Sequence, residues 1–178
     1  MVTSNLNLAH LNIRSASSIT DSCNKPLLLQ EFILENSIDV LSVTKIWLSP
    51  DTPPSVLNSL TPPNFCILYH PRPKGRGGGI APIYRSFLRA SKISIPACSS
   101  FEAFCVRISF SNFSCSILSV YRHPALSKLT SFLNLLPYLK FLFLRPPNLS
   151  SPVTSTTILT VHLINLSHNF FLALTCLI

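Results

Sequence analysis

Apolar positions along this chain change their spacing several times, and each change predicts an element. Residues 6–13 (LNLAHLNI) alternate loosely and contain no breaker, so they predict a first strand. Asn24-Lys25-Pro26 then opens the run PLLLQEFILENS. Pro26 suits a first helical turn, and Leu28, Leu29, Phe32 and Ile33 share one helical face, which predicts a helix near 27–36. Residues 38–43 (IDVLSV) form a short apolar run, the pattern of a buried strand. A strand, a helix and a strand in this order point to an α/β class.

Further along, residues 50–63 form a proline-rich loop, and residues 65–69 suit a strand. A basic glycine loop (HPRPKGRGGG) covers residues 70–79, and apolar character resumes over 80–88. Pro82 interrupts that run and is expected only at an edge or a bulge, because it cannot donate to a ladder. Residues 101–110 and 113–121 predict a strand pair joined by a tight turn at Ser111-Asn112. After Pro124 the chain is rich in Leu and Phe, and from 146 to 178 it carries no Lys, Arg, Asp or Glu. The expected division is a partial domain over 1–124 and a degraded apolar tail over 125–178. That tail should pack poorly or form an apolar helix. Residues 158–178 are long enough to span a bilayer. His162, Asn165, His168 and Asn169 lie inside that stretch and no Lys or Arg flanks it closely, so a membrane anchor is the weaker alternative.

Composition sharpens this picture. Hydrophobic residues make up 47% of the 178 positions and mean hydropathy is +0.42, which excludes an intrinsically disordered chain. Charged residues are only 11%, against about 25% in an ordinary soluble domain. Fourteen Lys and Arg face six Asp and Glu, giving a net charge of +8, and no carboxylate follows Glu102. All four glycines lie between Gly75 and Gly79, so any later turn that needs a positive φ must use Asn or a strained residue. The six cysteines show no CxxC pair and no zinc-finger spacing, and they read as reduced, mostly buried thiols. The N-terminus lacks the pattern of a secretory signal, so an intracellular location, nuclear or cytoplasmic, is expected.

Four landmarks follow one another in order. They are Asn12-Ile13-Arg14-Ser15, residues 39–48 (DVLSVTKIWL), residues 75–81 (GRGGGIA) and Val120-Tyr121-Arg122-His123-Pro124. Together they resemble the endonuclease domain of non-LTR (LINE-type) retrotransposons, within the endonuclease/exonuclease/phosphatase superfamily. The resemblance implies a four-layer α/β sandwich, here incomplete, and Mg²⁺-dependent nicking of DNA. In that chemistry a carboxylate holds Mg²⁺ on a phosphate oxygen while neutral donors brace the phosphate. By the same resemblance, Asn12 matches the asparagine that orients the cluster and Tyr121 the tyrosine that donates to the phosphate, while Arg76 in the glycine loop and Arg122 after Tyr121 are the candidate nucleic-acid-binding residues.

The departures are as informative as the matches. Lys45 stands where the family has its metal-binding glutamate, an ammonium in place of a carboxylate. The best counterpart of the family's Gly-Asp-Phe-Asn-Ile-His-Leu segment is residues 157–163 (TILTVHL), where Ile158 replaces the Asp and Thr160 replaces the Asn. The expectation is a remnant of a DNA endonuclease domain that holds no cofactor, although its family would use Mg²⁺. Alternatives are a residual nucleic-acid-binding module with weak affinity for DNA, or a small membrane-associated protein anchored by 158–178. No protein partner is implied. If the inherited fold persists, Asn12, Lys45 and Tyr121 should meet at one end of the sandwich within about 10 Å, given strands ~4.8 Å apart.

Residues outside these motifs have plainer readings. His10 and His123 read as partly exposed polar side chains, and Trp47 reads as core. The basic loop over 72–76, with Arg85 and Arg89 downstream, is either a phosphate contact or a solvated loop.

Overall fold

The computed structural model describes residues 6–20, 22–72, 77–96, 101–111, 113–122, 159–166 and 169–176, the last two segments as backbone. The chain folds as two compact units, 1–88 and 89–178. The boundary expected at residue 124 falls inside the second unit.

The first unit is built on a four-stranded mixed sheet. Its strands are β1 (Leu8–Asn12), β4 (Val40–Thr44), β5 (Phe65–Ile67) and β6 (Ile80–Arg85), in the order β1-β4-β6-β5. β1 and β4 run parallel, with Leu8 opposite Val40 and Asn12 opposite Thr44. The connection between them carries the short hairpin of β2 (Ile19–Thr20) and β3 (Cys23–Asn24), then α1 (Lys25–Glu35). A second short helix, α2 (Pro54–Ser59), precedes β5.

Local chemistry sets the limits of α1. The Asn24 side chain accepts the Leu27 N–H at 3.2 Å as N-cap, and Pro26 sits in the first turn, where no intrahelical donor is lost. At the other end Ser37 takes a left-handed φ of 49°. The Ile38 N–H then reaches the Ile33 carbonyl (3.0 Å) and the Ser37 N–H reaches that of Leu34 (3.1 Å). This is a Schellman stop with serine in the place glycine usually takes. Leu29 and Ile33 bury against Leu41, Val43, Ala81 and Ile83 to make the core of the unit.

Pro82 lies inside the sheet, not at an edge as expected. The register explains why. Its carbonyl accepts the Leu68 N–H at 3.0 Å, so its missing donor faces the β5 side. β5 ends at Ile67, and pairing resumes only at the His70–Ile80 bridge. On the β4 side Pro82 lies opposite Ser42 without turning its nitrogen toward that strand, so the central ladder loses nothing.

The second unit is an antiparallel sheet in the order β10-β11-β9-β8-β7. Its strands are β7 (Arg89–Ile93), β8 (Phe101–Phe110), β9 (Phe113–Arg122), β10 (Leu159–Leu166) and β11 (Asn169–Cys176). The long β8–β9 hairpin pairs from Phe101–Arg122 to Phe110–Phe113 and turns through Ser111 at φ 50°, a strained residue where no glycine is available. Phe101, Cys105, Leu118 and Val120 form a buried cluster on one face. Ile108, Ile117 and Tyr121 are buried as well.

Two expectations for the tail need correction. Residues 159–176 form a β-hairpin and not an apolar helix, and β11 pairs with β9 from Ser116 to Ser119. Polar residues recur through the stretch, which breaks a continuous apolar surface and suits paired strands. Among the described residues no helix is long and apolar enough to cross a membrane, so the anchor helix proposed for 158–178 is not formed. Residues 125–158 lie outside the described residues.

Candidate functional site

Three of the four landmarks meet at one end of the first unit, where the parallel strands β1 and β4 finish side by side. Backbone hydrogen bonds continue past the strand ends. The Ile13 N–H donates to the Thr44 carbonyl (3.2 Å), that of Ser15 to Lys45 (2.8 Å) and that of Ala16 to Ile46 (2.8 Å). On the other side the Trp47 N–H donates to Gly78 (3.1 Å) and that of Ile46 to Gly79 (3.5 Å). The turns after Asn12, after Thr44 and before Ile80 are thus stitched into one surface. Open α/β sheets place their functional loops outside the carboxyl ends of their parallel strands.

That surface is strained. Arg14 (φ 46°), Ser15 (68°), Lys45 (58°) and Trp47 (56°) all take left-handed backbone, as do Gly77, Gly78 and Gly79. Each non-glycine residue there costs roughly 1–2 kcal/mol. Strain of this kind gathers at binding and catalytic sites, where the surrounding structure holds it in place. The glycines serve a second need at Gly79, where a Cβ would lie 2.8 Å from Ile46 Cγ1. Lys25 adds a support that was not anticipated from the sequence. Its ammonium donates to the Ile13 carbonyl at 2.9 Å and to that of Arg14, fixing the turn after β1 from the start of α1.

Asn12 and Thr44 face one another in the register, on the same side of the sheet. Asn12 is partly exposed, whereas Thr44 is fully buried and its hydroxyl finds no hydrogen-bond partner among the described residues. Lys45, the next residue, is half-buried. Trp47 is 48% exposed, not core, because its left-handed φ turns the indole outward beside Gly77. His10 also departs from expectation: it is buried, on the strand face it shares with Ser42. Burial pushes its imidazole down to about 4, and a hydrogen bond with the Ser42 backbone offsets part of that shift.

The remaining predicted residues lie on other elements. Tyr121 is buried in β9 of the second unit, opposite Glu102, and Arg122 ends that strand opposite Phe101. Thr160 lies on β10, opposite Thr175, and the neighbouring Leu174 pairs with Ser116. Thr160 therefore lines up with Cys115 near the start of β9, about 20 Å along the strand from Tyr121 at 3.4 Å per residue. The structure does not bring this pair together. Arg76, Ile158 and His123 lie outside the described residues. Arg85 is engaged within the first unit. Its Nε is 2.6 Å from Asp39 Oδ1, before the start of β4, and its guanidinium stacks on Phe65.

The donors at the stitched end do not fit a divalent cation. Mg²⁺ is bound through carboxylate oxygens. Residues 12–16, 44–48 and 77–80 contribute an amide (Asn12), two hydroxyls (Ser15 and Thr44), an ammonium, a guanidinium and an indole N–H, and no carboxylate. Two cysteines of the second unit are inert, since burial raises the Cys105 thiol to about 12 and that of Cys115 to about 11.

No family model and no curated protein matches the chain. Among solved structures, one similar fold is that of TDP2 from D. rerio, crystallised with a single-strand DNA product. The TM-score is 0.56 at 12% identity, over 81% of this chain and 56% of that one. Another is the AP endonuclease LMAP from Leishmania major, with a TM-score of 0.44 at 16% identity, over 72% of this chain and 42% of that one. The chain thus spans little more than half the length of the TDP2 structure. The chain has the mixed α/β fold that this likeness describes.

Proposed function

We propose that this chain is a catalytically inactive relative of the metal-dependent DNA-nicking domains, derived from a non-LTR retrotransposon. The observation that carries this reading is the stitched end of the first unit. Three motifs scattered over the sequence, after Asn12, around Lys45 and before Ile80, are held on one strained surface by backbone hydrogen bonds. The scaffold of a phosphodiesterase site is kept at that end, while Lys45 supplies positive charge where such a site needs negative charge. Metal-assisted hydrolysis requires a ligand that holds the cation on the phosphate, and an ammonium repels the cation instead. The likeness of fold to TDP2, crystallised with a single-strand DNA product, supports the same reading.

Weak DNA retention is the activity that survives on this reading. Arg14 is exposed, Lys45 is half-buried, and the three segments at this end bring no carboxylate to oppose a phosphate. Such binding is dominated by backbone phosphates and weakens steeply with salt. The test is a supercoiled-plasmid assay with Mg²⁺, run beside salt-dependent retention on single- and double-stranded DNA. Intact plasmid together with salt-sensitive retention is the expected result. Mg²⁺-dependent nicking that disappears in Asn12→Ala would overturn the proposal.

A further inference from the structure

Among the described residues β1 is an edge strand, paired only with β4. The Asn7 carbonyl and the Ile13 N–H face β4, so by alternation the peptide groups of Leu8 and Asn12 face the open side. Beside this edge a cavity of about 310 Å³ opens between β1 and α1, lined by Leu11, Ile13, Leu28 and Phe32. An unprotected edge beside an apolar groove is a template for strand addition.

The helix above the groove indicates which strand would be added. Lys25, Leu28, Phe32 and Glu35 follow one another at intervals of three and four, so they form one stripe along α1. Its amino end is a cation, its middle is apolar and its carboxyl end is an anion. Leu28 is 52% exposed, and Glu35 is exposed as well. Read in the opposite direction, the stripe is its own complement. Lys25 of one copy, whose ammonium also holds the Ile13 and Arg14 carbonyls, comes beside Glu35 of the other, and Leu28 meets Phe32.

We propose that a second copy of this chain docks here, as a two-fold symmetric dimer in which β1 pairs antiparallel with β1 of the other copy. Leu8 of one copy then lies opposite Asn12 of the other, and the two four-stranded sheets become one sheet of eight strands. The spacing is consistent with this arrangement. α1 packs over β1 and β4, so the two helix axes lie about two strand separations apart, roughly 9.6 Å. That is within the 8–10 Å typical of packed helices. The contact is isologous, since the same patch serves both partners, and it closes without leaving a free edge at β1. Net charge does not oppose it strongly, because residues 1–88 carry seven Lys and Arg against five Asp and Glu.

The experiment is sedimentation equilibrium on the full chain and on three variants, with circular dichroism as a check on folding. Glu35→Lys reverses both symmetry-related ion pairs, and Leu28→Lys puts a charge against Phe32. Asp51→Lys makes the same charge change as Glu35→Lys on an exposed loop. The expected result is a dimer whose dissociation constant rises roughly tenfold or more in the first two variants, with folding intact and Asp51→Lys unchanged. A monomeric wild type would overturn the proposal, and so would a dimer that both α1 variants leave untouched. Equal weakening by Asp51→Lys would also overturn it, by tracing the effect to net charge alone.

Discussion

The Ser15 N–H donates to the Lys45 carbonyl at 2.8 Å, and both residues hold left-handed backbone. Two turns from distant parts of the sequence thereby fix one another. Neither conformation is favourable alone, because a side chain at positive φ crowds the following carbonyl. Their mutual hydrogen bond, the next one from Ala16 to Ile46 and the Lys25 ammonium beneath them keep both in place.

The glycine side of this surface should be intolerant of a methyl group in a graded way. At Gly79 a Cβ would stand 2.8 Å from Ile46 Cγ1, and φ is 82°. Ile46 is buried and has little room to retreat. Gly79→Ala is expected to destabilise by about 2–3 kcal/mol, the strain of the backbone plus a core displacement. At Gly77 the nearest atom is Nε1 of the exposed Trp47, at 3.1 Å, and that side chain can move aside. Gly77→Ala should cost about half as much, chiefly the backbone strain. Urea denaturation of the two variants checks the order.

Thr44 carries a buried hydroxyl with no hydrogen-bond partner among the described residues. Leaving such a group unsatisfied costs about 1–3 kcal/mol, and replacing it with an apolar group of the same shape relieves that cost. Thr44→Val should therefore raise stability by about 1 kcal/mol and move the urea midpoint upward without changing the slope. A fall in the midpoint would show that the hydroxyl is satisfied, for instance by a buried water.

Much of the first unit was legible from the sequence, for identifiable reasons. The helix was found because Pro26 and the face shared by Leu29 and Ile33 are local signals. The β8–β9 pair was found because two runs flank a two-residue linker. The stitched turns were legible only as motifs, since their hydrogen bonds join residues far apart in the sequence. Pro82 misled because its cost depends on which neighbour its nitrogen faces, and register is a tertiary property. Trp47 misled because composition favours burial, whereas its positive φ points it outward. The hairpin of β10 and β11 was missed because an apolar segment long enough to span a membrane looks alike as helix or strand until its partner β9 is known.

Charge restoration at one position should not restore chemistry. Lys45→Glu places a carboxylate one residue beyond Thr44, the register partner of Asn12, but residues 12–16, 44–48 and 77–80 supply no second one. The variant is expected to leave supercoiled plasmid intact with Mg²⁺ present. It should also reduce DNA retention, because one ammonium has become an anion at the proposed phosphate contact. Measuring both on the same preparation separates the effects. Retention that rises in Lys45→Glu would place the DNA contact elsewhere on the molecule.

Stability should fall in mildly acidic solution because of His10. In the folded chain burial holds its pKa near 4, whereas the unfolded chain titrates near 6.5. Between these values the unfolded state binds a proton that the folded state refuses. Where the unfolded state binds more protons, stability rises with pH. The contribution is therefore fully present above about pH 6.5 and is lost progressively as pH falls toward 4. A difference of this size corresponds to about 3 kcal/mol at most, since each pKa unit is worth about 1.4 kcal/mol. Carboxylates as a class titrate near the lower limit of this window. The His10 effect is therefore read above pH 5, as the slope of urea midpoint against pH. His10→Gln keeps a polar side chain and cannot gain the proton, so it should flatten that slope while leaving the pH 7.5 midpoint within about 1–2 kcal/mol of wild type. An equal slope in wild type and variant would mean that His10 is protonated in the folded chain or is open to solvent, and either finding would contradict its burial beside Ser42.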